Sequence, residues 1–312
     1  MGTSALSSRA IRGWYYKRLE EVAGASWVDA ASNLFDSDQE SETYNWLGMT
    51  PAMRKWVGGR QAKALRSQGM TIVNAHYEAT LPVPCADIRR DKTGQIRARI
   101  AEFVGRGVEH WASLLTTLIE AGTSTACYDG SYYFATDHSE GSSGTQVNAL
   151  TSSHVGTLDV ITAAAPTAAE MADAIMDTIA YMMGYKDDQG EPMNANANGF
   201  LVMCPKGKIF GSALAAAKNQ VINSSTNPLQ AADWDLKVVC NPRLTWTTDF
   251  AVFRTDSELK ALIRQEETRP TLTSQAEGSP EEFDNDRWLF GVDAWRAVGY
   301  GYWQHAAKAT LS

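Results

Sequence analysis

The feature of this sequence that most constrains its fold is a long helical pattern that ends near residue 121. Apolar residues recur there at intervals of four and three, which is the spacing of one face of an α-helix. Gly122 is a natural stop, and the pattern extends back to about residue 88, so the predicted helix exceeds about thirty residues. A helix with a single apolar stripe normally lies across a β-sheet. The stripe consists of Val104, Val108, Trp111, Leu115 and Leu118.

Two glycines lie near the middle of this pattern. Gly105 and Gly107 both fall inside the predicted helix, where a glycine weakens helical structure by about 1 kcal/mol relative to alanine. Because glycine is one of the recognised causes of a kink, we expect these two positions to permit a bend in the helix.

The segments that flank the long helix are predicted to supply strands. The run GMTIVNAHYEATLPVP, residues 69–84, is rich in β-favouring residues and closes with two prolines. A two-stranded ribbon alone is only marginally stable, so a ribbon formed here needs another surface to lie on. On the other side of the helix, Asp129-Gly130 predicts a turn that leads into an aromatic strand ending near residue 136.

The two ends of the chain show simpler patterns. Residues 7–22 carry apolar side chains at roughly helical spacing, which predicts a short amphipathic helix. Residues 264–286 are charged and contain Pro270 and Pro280, which predicts a long loop. The C-terminal residues 287–312 alternate aromatic with other residues, as a strand does.

Helices and strands alternate over residues 166–265. Thr167 and Glu170 have the spacing of a capping box, which predicts a helix that starts there and ends at Gly184. The strands GFLVMCP, LKVVCNP and DFAVFRT and the helix KIFGSALAAAKN follow. This order indicates an α/β arrangement, preceded by a polar surface loop over residues 138–165.

Composition and charge exclude several classes of function. The chain has 28 basic and 36 acidic residues and a net charge of −8, which disfavours sequence-independent binding of nucleic acid, because that binding requires many cations. No apolar run is long enough to span a membrane, and the N-terminus lacks the apolar core of a signal peptide, so we expect a cytoplasmic protein. The four cysteines lie far apart without a C-x-x-C pair, a spacing that argues against zinc and against a disulfide scaffold.

The search for catalytic motifs gives no strong candidate. Asp137 and His138 are adjacent, but neighbouring side chains on a strand point to opposite faces, so Asp137 is not expected to orient His138. A structural hydrogen bond at a strand end is the favoured interpretation of His138. A hydrolase that uses His110, Asp137 or His138 remains a distant alternative. We predict no catalytic, cofactor-binding or metal-binding residue, and therefore no cofactor.

An unusual concentration of aromatic and basic residues lies between residues 44 and 63. Its composition matches that of interface hot spots, where tryptophan, tyrosine and arginine dominate, and cation–π stacking between chains is one use of such a mixture. The alternative is that these aromatic residues belong to the apolar core of their own chain. An apolar stripe that faces a core would not normally have three cations around it. Gly58-Gly59 would let the segment leave the body of the protein. The predicted subunit-interface residues are Tyr44, Trp46, Arg54, Trp56 and Arg60.

Three segments together resemble one protein family. They are YNWLGMTPAMRKWVGGR (residues 44–60), YDGSYYFATDH (128–138) and FGVDAWRAVGYGYWQHA (290–306). Their order and spacing resemble the major head subunit of Mu-like tailed bacteriophages, and the resemblance covers nearly the whole chain. Ser139 departs from the pattern, since proline is expected after the Asp-His pair, which affects a local turn only.

The resemblance implies an α+β fold of the Hong Kong 97 capsid type. Residues 1–43 would form the N-terminal arm and residues 44–84 the extended loop with its entry. Residues 85–149 would form the peripheral domain with its spine helix, residues 150–265 the axial domain, and residues 266–312 the return to the peripheral domain. Residues 126–136 and 283–312 would complete the peripheral sheet.

The same resemblance implies a function in a virion. Copies of the chain would assemble into pentamers and hexamers of an icosahedral head that encloses double-stranded DNA without sequence-specific binding. Scaffold, portal and decoration proteins would be its other partners, with no membrane involved. An encapsulin-like shell, which has the same fold and encloses an enzyme cargo, is the main alternative.

Overall fold

A computed structural model describes residues 7–45, 69–90, 94–222 and 224–312. Most of these residues form two β-sheets with helices packed on them. The helices are α1 (Ser8–Glu21), α2 (Ser26–Ala31), α3 (Cys85–Arg90), α4 (Gln95–Glu120), α5 (Ala168–Met183), α6 (Lys208–Lys218), α7 (Pro228–Ala231) and α8 (Pro280–Asn285). The strands are β1 (Ser32–Asp36), β2 (Ser41–Tyr44), β3 (Met70–Val73), β4 (Ala75–Pro84), β5 (His138–Ser139), β6 (Thr145–Gln146), β7 (Ala149–Leu150), β8 (Gly199–Cys204), β9 (Val221–Ile222), β10 (Ser225–Thr226), β11 (Asp235–Cys240), β12 (Asp249–Arg254), β13 (Leu262–Gln275), β14 (Arg287–Tyr300) and β15 (Ala306–Thr310).

A four-stranded sheet with the order β1-β13-β14-β4 is built around one long hairpin. Strands β13 and β14 are each 14 residues long and run antiparallel. The prediction of a loop over residues 264–286 is therefore wrong for most of its length. The charged residues Arg264 and Glu266 of β13 are buried and form ion pairs, whereas Glu267 and Arg269 are exposed. Pro270 lies where the pairing register shifts between Thr268 and Thr271. A proline is tolerated at such an irregularity because no ladder hydrogen bond is lost there.

The long helix lies on this sheet, as its apolar stripe predicts. Val104 and Leu115 are buried, while Val108, Trp111 and Leu118 pack on the core with part of their surface exposed. The predicted extension back to residue 88 is wrong for a continuous helix, because a separate helix α3 ends at Arg90 and α4 starts after Gly94. Gly94 directly precedes α4 with φ of 74°, a left-handed conformation that glycine adopts without strain and that interrupts a right-handed helix.

A five-stranded sheet with the order β11-β8-β12-β15-β7 forms the second layer. Every residue of β8 is buried, which agrees with its continuous apolar sequence. The predicted capping box of α5 is present, with the Thr167 hydroxyl and the Glu170 carboxylate each accepting from the other's backbone. The four elements predicted for residues 199–254 are confirmed as β8, α6, β11 and β12.

The predicted aromatic strand after Gly130 is wrong. Ala126 and Tyr132 form an isolated bridge, and residues 127–137 otherwise follow turns and bends. The backbone N–H of Tyr133 donates to Thr125 and that of Phe134 donates to Gly122. The segment therefore folds back on the end of the long helix instead of extending along a sheet.

Two chain segments cross between the sheets side by side. One links β12 to β13, and the other links β14 to β15 through a turn of 3-10 helix at Trp303–His305. The crossings are joined by a hydrogen bond from the N–H of Gly301 to the carbonyl of Ala261, 2.9 Å long. The C-terminal residues thus contribute β14 to the first sheet and β15 to the second.

Two apolar clusters stabilise the fold. The larger one fills both faces of the five-stranded sheet and continues under the C-terminal half of α4. The smaller one lies between α1, the N-terminal half of α4 and the distal part of the long hairpin. Within the described residues, no helix is both long enough and apolar enough to cross a membrane.

Candidate functional site

Of the five predicted interface residues, only Tyr44 lies in the described part of the chain. Its side chain is 7% exposed and its hydroxyl donates to Oε1 of Gln265 over 2.8 Å. Burial, with a smaller contribution from the charge of Glu42, raises the pKa of Tyr44 to about 12. A side chain buried in its own chain has little surface left to offer a neighbour, so Tyr44 anchors β2 to β13. The remaining four, Trp46, Arg54, Trp56 and Arg60, lie outside the described residues, as do Gly58 and Gly59.

A short ribbon holds the two ends of the aromatic and basic segment. Strand β2 pairs antiparallel with β3, so Tyr44 lies opposite Met70. The ribbon packs on the long hairpin at a close approach, since a Cβ added to Gly299 would lie 2.3 Å from Cδ1 of the buried Ile72. The segment 46–68 therefore leaves from, and returns to, a fixed base.

The charge of this segment is opposite to that of the rest of the protein. Residues 46–68 contain five cations and no acidic residue. Because the whole chain carries −8 and the segment carries +5, the remainder carries −13. An acidic surface on another copy of the chain would attract the segment, in keeping with the electrostatic complementarity of specific interfaces.

A groove lies between α4 and the edge strand β4. It encloses a cavity of about 380 Å³. Its walls include Tyr77, Leu81, Phe103 and Val292, and it also contains His110, whose ring meets that of Tyr77 edge-on with centroids 4.5 Å apart. Burial and the positive charge of Arg296 lower the pKa of His110.

A polar cluster surrounds His138 near the segment that crosses from β14 to β15. His138 is fully buried, and its ring stacks on that of Trp303 with centroids 3.9 Å apart. Its Nδ1 lies 2.6 Å from Oδ2 of Asp129, and its Nε2 lies 3.1 Å from Oδ1 of Asn148. The partner carboxylate is thus Asp129, and not the adjacent Asp137.

Cys127 completes this cluster. Its Sγ donates to Oδ1 of Asp129 over 3.0 Å. Burial and the neighbouring Asp129 raise the pKa of the thiol well above its ordinary value. Burial acts to raise the pKa of Asp129 itself, but the hydrogen bond and charge of His138, with further bonds from Cys127 and Ser131, lower it overall.

This arrangement gives little support to the hydrolase alternative. His110 lies in the groove beside β4, whereas His138 lies at the sheet crossing, so the two belong to different parts of the fold. Both ring nitrogens of His138 have partners and the ring is fully buried. A histidine in that position has no free nitrogen to act as a base on a substrate.

Sequence reasoning missed the cluster of Cys127, Asp129 and His138. Its three members form neither an adjacent pair nor a C-x-x-C spacing, the patterns that mark catalytic and zinc sites in a sequence. The available signal was C-x-D-G at residues 127–130, which places two potential ligands on one turn. The third member comes from β5, so only the fold reveals that it is close.

A family model matches most of the chain. The model described as "Mu-like prophage major head subunit gpT" covers residues 8–163 and 227–312. The chain is 25% identical over 284 residues to the Mu-like prophage FluMu major head subunit of Haemophilus influenzae, an alignment that covers 90% of this chain and 66% of that protein. It is also 33% identical over 106 residues to the major capsid protein of Escherichia phage Mu, covering 34% of each.

The fold is similar to that of solved capsid subunits. The structure matches a chain of the procapsid of bacteriophage JBD30 with a TM-score of 0.57 and 22% identity, over 97% of this chain and 75% of that one. The fold is therefore α+β and of the Hong Kong 97 capsid type. The chain spans 66% of the length of the Haemophilus protein and 34% of that of the Mu protein.

Proposed function

The chain belongs to the family of Mu-like prophage major head subunits, and from that membership we propose that it is the building block of a phage head. The observation that carries this proposal is the match of the family model across both sheets, joined by likeness to a procapsid subunit over 97% of the chain. In the described part of the chain, His138 is fully buried with both ring nitrogens hydrogen-bonded, which supports a structural role alone.

We propose the following layout for the subunit. Residues 1–43 form an N-terminal arm and residues 44–84 an extended loop with its entry. Residues 85–149 and 266–312 form a peripheral domain, and residues 150–265 an axial domain. The long helix on the four-stranded sheet supports the peripheral domain, and the five-stranded sheet supports the axial domain. Because β15 pairs with β12, the strand Ala306–Thr310 is better assigned to the axial sheet.

We propose that the segment 46–68 makes a principal contact between neighbouring subunits. Its fixed base on the ribbon β2–β3 and its positive charge against a negative remainder support this proposal. Trp46 and Trp56 would bury their rings on the neighbour, while Arg54 and Arg60 would pair with its carboxylates. Aromatic and arginine anchors of this kind dominate the energetics of protein interfaces.

Shell formation follows from the way such contacts repeat. Heterologous contacts close into rings when the rotation between subunits permits, here into pentamers and hexamers. Each subunit meets several neighbours, so many weak contacts act together and removal of one subunit becomes costly. We propose that the shell encloses double-stranded DNA without gripping it, which the net charge of −8 favours. Scaffold, portal and decoration proteins are proposed further partners, with assembly in the host cytoplasm.

Electron microscopy of the expressed protein tests this function. We expect closed shells of uniform size, formed by the chain alone or with a co-expressed scaffold. Where few shells close, we expect free rings of five and six subunits. Uniform monomers under all assembly conditions, including with scaffold, would contradict the proposal. Shells that contain a protein cargo and exclude DNA would favour the encapsulin-like alternative instead.

A further inference from the structure

We propose that Cys127, Asp129 and His138 form a buried binding site for a divalent transition metal ion, with zinc as the best fit. The three ligand atoms lie within 4.8 Å of one another. The site goes beyond the proposed role in a shell, because nothing in subunit assembly requires a metal. Three observations carry it: the orientation of Asn148, the set of donor atoms, and the turn that presents them.

The amide of Asn148 fixes which nitrogen of His138 carries a hydrogen. Nδ2 of Asn148 donates to the carbonyl of Tyr133 over 2.8 Å, and Oδ1 accepts from the N–H of Ala135 over 2.9 Å. The amide oxygen therefore faces the ring of His138. Since Nε2 of His138 lies 3.1 Å from that oxygen, Nε2 must be the donor.

It follows that Nδ1 is the ring nitrogen that faces Asp129 and that would bind a metal ion. It lies 2.6 Å from Oδ2 of Asp129. A ligating histidine typically donates its second N–H to a carbonyl oxygen, as His138 does to Asn148.

The donor atoms match the preferences of zinc. Sulfur, imidazole nitrogen and carboxylate oxygen are its three usual ligands, and sites with three protein ligands hold a water in the fourth position. Binding would displace the thiol proton of Cys127 and the proton shared by Asp129 and His138, so two protons leave as one ion enters. Cys127 and Asp129 are 3.0 Å apart and His138 and Asp129 are 2.6 Å apart. The ligands would separate by about 1 Å to reach bond lengths of about 2.0–2.3 Å.

A compact turn presents two of the ligands. The N–H of Gly130 donates to the carbonyl of Cys127 over 3.1 Å, and the N–H of Cys127 donates to that of Ser131 over 2.8 Å. Gly130 has φ of 91°, a conformation that closes the turn and disfavours other residues. His138 stacks on Trp303, so a bound ion would tie this turn to the crossing between β14 and β15.

Metal analysis of the full-length protein tests the site. After expression with added zinc and purification without chelators, we expect about one zinc ion per chain by elemental analysis. Cys127→Ser and His138→Gln should each reduce the content at least about tenfold, given the loss of one ligand in three. Cys85→Ser is the matched control, because Cys85 is buried next to Glu282 and outside the cluster, and it should keep the wild-type content.

A spectroscopic measurement on the wild-type protein removes any dependence on how well the variants fold. Titration with Co²⁺ should produce thiolate-to-cobalt charge-transfer and tetrahedral d–d bands that saturate at about one equivalent. The Cys85→Ser protein should show the same bands. Zinc content near zero together with no cobalt bands would overturn the proposal and leave a shared proton as the species between Asp129 and His138. Neither result depends on shell assembly, so this test is separate from that of the proposed function.

Discussion

The guanidinium of Arg296 lies over the indole ring of Trp111, 4.4 Å from its centroid. Arg296 belongs to β14 and Trp111 to α4, so the long helix rests on the sheet partly through a buried cation. Arg296 is 2% exposed and lies 3.2 Å from the carboxylate of Glu266. Burial of the guanidinium lowers its pKa, and the nearby Glu266 acts in the opposite direction.

Removal of Arg296 should therefore be strongly destabilising. Arg296→Ala leaves the carboxylate of Glu266 buried, and among the described residues its remaining ion-pair partner is the exposed Arg269 at 3.7 Å. We expect a loss of about 3–5 kcal/mol in the free energy of unfolding, measured by denaturant titration of the unassembled subunit. The double variant Arg296→Met/Glu266→Met should lose clearly less, because no unpaired charge remains. A double variant as unstable as the single one would contradict this account.

The hydroxyl of Tyr44 should contribute to stability and not to assembly. Tyr44→Phe leaves the fully buried Gln265 without the donor that its Oε1 now accepts from. We expect the free energy of unfolding to fall by about 1–3 kcal/mol. Assembly of the folded fraction, followed by light scattering, should be unchanged. A variant with wild-type stability and impaired assembly would show that Tyr44 contributes to the subunit interface.

Trp56 is expected to behave in the opposite way. Trp56→Ala should leave the melting temperature of the subunit unchanged and weaken association by about 2–4 kcal/mol, the range for a truncated hot spot. Arg54→Ala should have the same pattern, with Arg54→Lys as its conservative control. Light scattering against subunit concentration measures the association. If the purified Trp56→Ala subunit unfolds as a monomer, the residue belongs to the core of its own chain.

His305 should make stability depend on pH. It is 2% exposed, and burial, with the charge of Arg254, lowers its pKa from 6.5 to about 4. The unfolded chain therefore binds the proton more readily than the folded one. The neutral form stabilises the fold fully above about pH 6.5, and this contribution falls by about 3 kcal/mol as the pH drops towards 4.

The variant His305→Gln isolates this effect from the titration of carboxylates. The free energy of unfolding of both proteins is measured between pH 4 and 7, a window set by the two pKa values above. We expect the difference between wild type and variant to change over this window and to be constant above it. A difference that is independent of pH throughout would mean that His305 does not titrate there.

Gly299 should be intolerant of a side chain. A Cβ at this position would lie 2.3 Å from Cδ1 and 2.8 Å from Cγ1 of Ile72, which is itself buried. Gly299→Ala should destabilise the subunit by about 1–3 kcal/mol through overpacking. The change Ile72→Ala removes the two crowding atoms, so Gly299→Ala should cost less in the Ile72→Ala background than in the wild type, which thermal unfolding of both single variants and the double variant measures. An equal cost of Gly299→Ala in both backgrounds would show that the ribbon can move away.

Local patterns predicted the elements that have strong periodicity or a clear end signal. The stripe from Val104 to Leu118 and the capping box at Thr167 are examples, since each depends on residues within a few turns of one helix. The prediction of a loop over residues 264–286 is wrong because Arg264 and Glu266 are buried in ion pairs with residues distant in sequence, and because Pro270 lies at an irregularity of the pairing register.

The candidate site was less predictable than the fold. The burial of Tyr44 depends on Gln265, which is distant in sequence. The residues next to Tyr44 in the sequence therefore favoured a position at an interface. The pairing of His138 with Asp129 likewise depends on how the turn at Gly130 folds back. The resemblance to a known family supplied the overall architecture, which composition and periodicity left open.

The hydrogen bond between Gly301 and Ala261 joins two of the chain segments that run between the sheets, and it places them in contact. A Cβ on Gly301 would lie 2.4 Å from the carbonyl oxygen of Lys260, so the two backbones are as close as they can come. The two crossings are therefore held together by a backbone contact that leaves no room for a side chain. A subunit that adapts to different local curvature would have to bend both crossings together at this contact, while both ladders of strands stay intact.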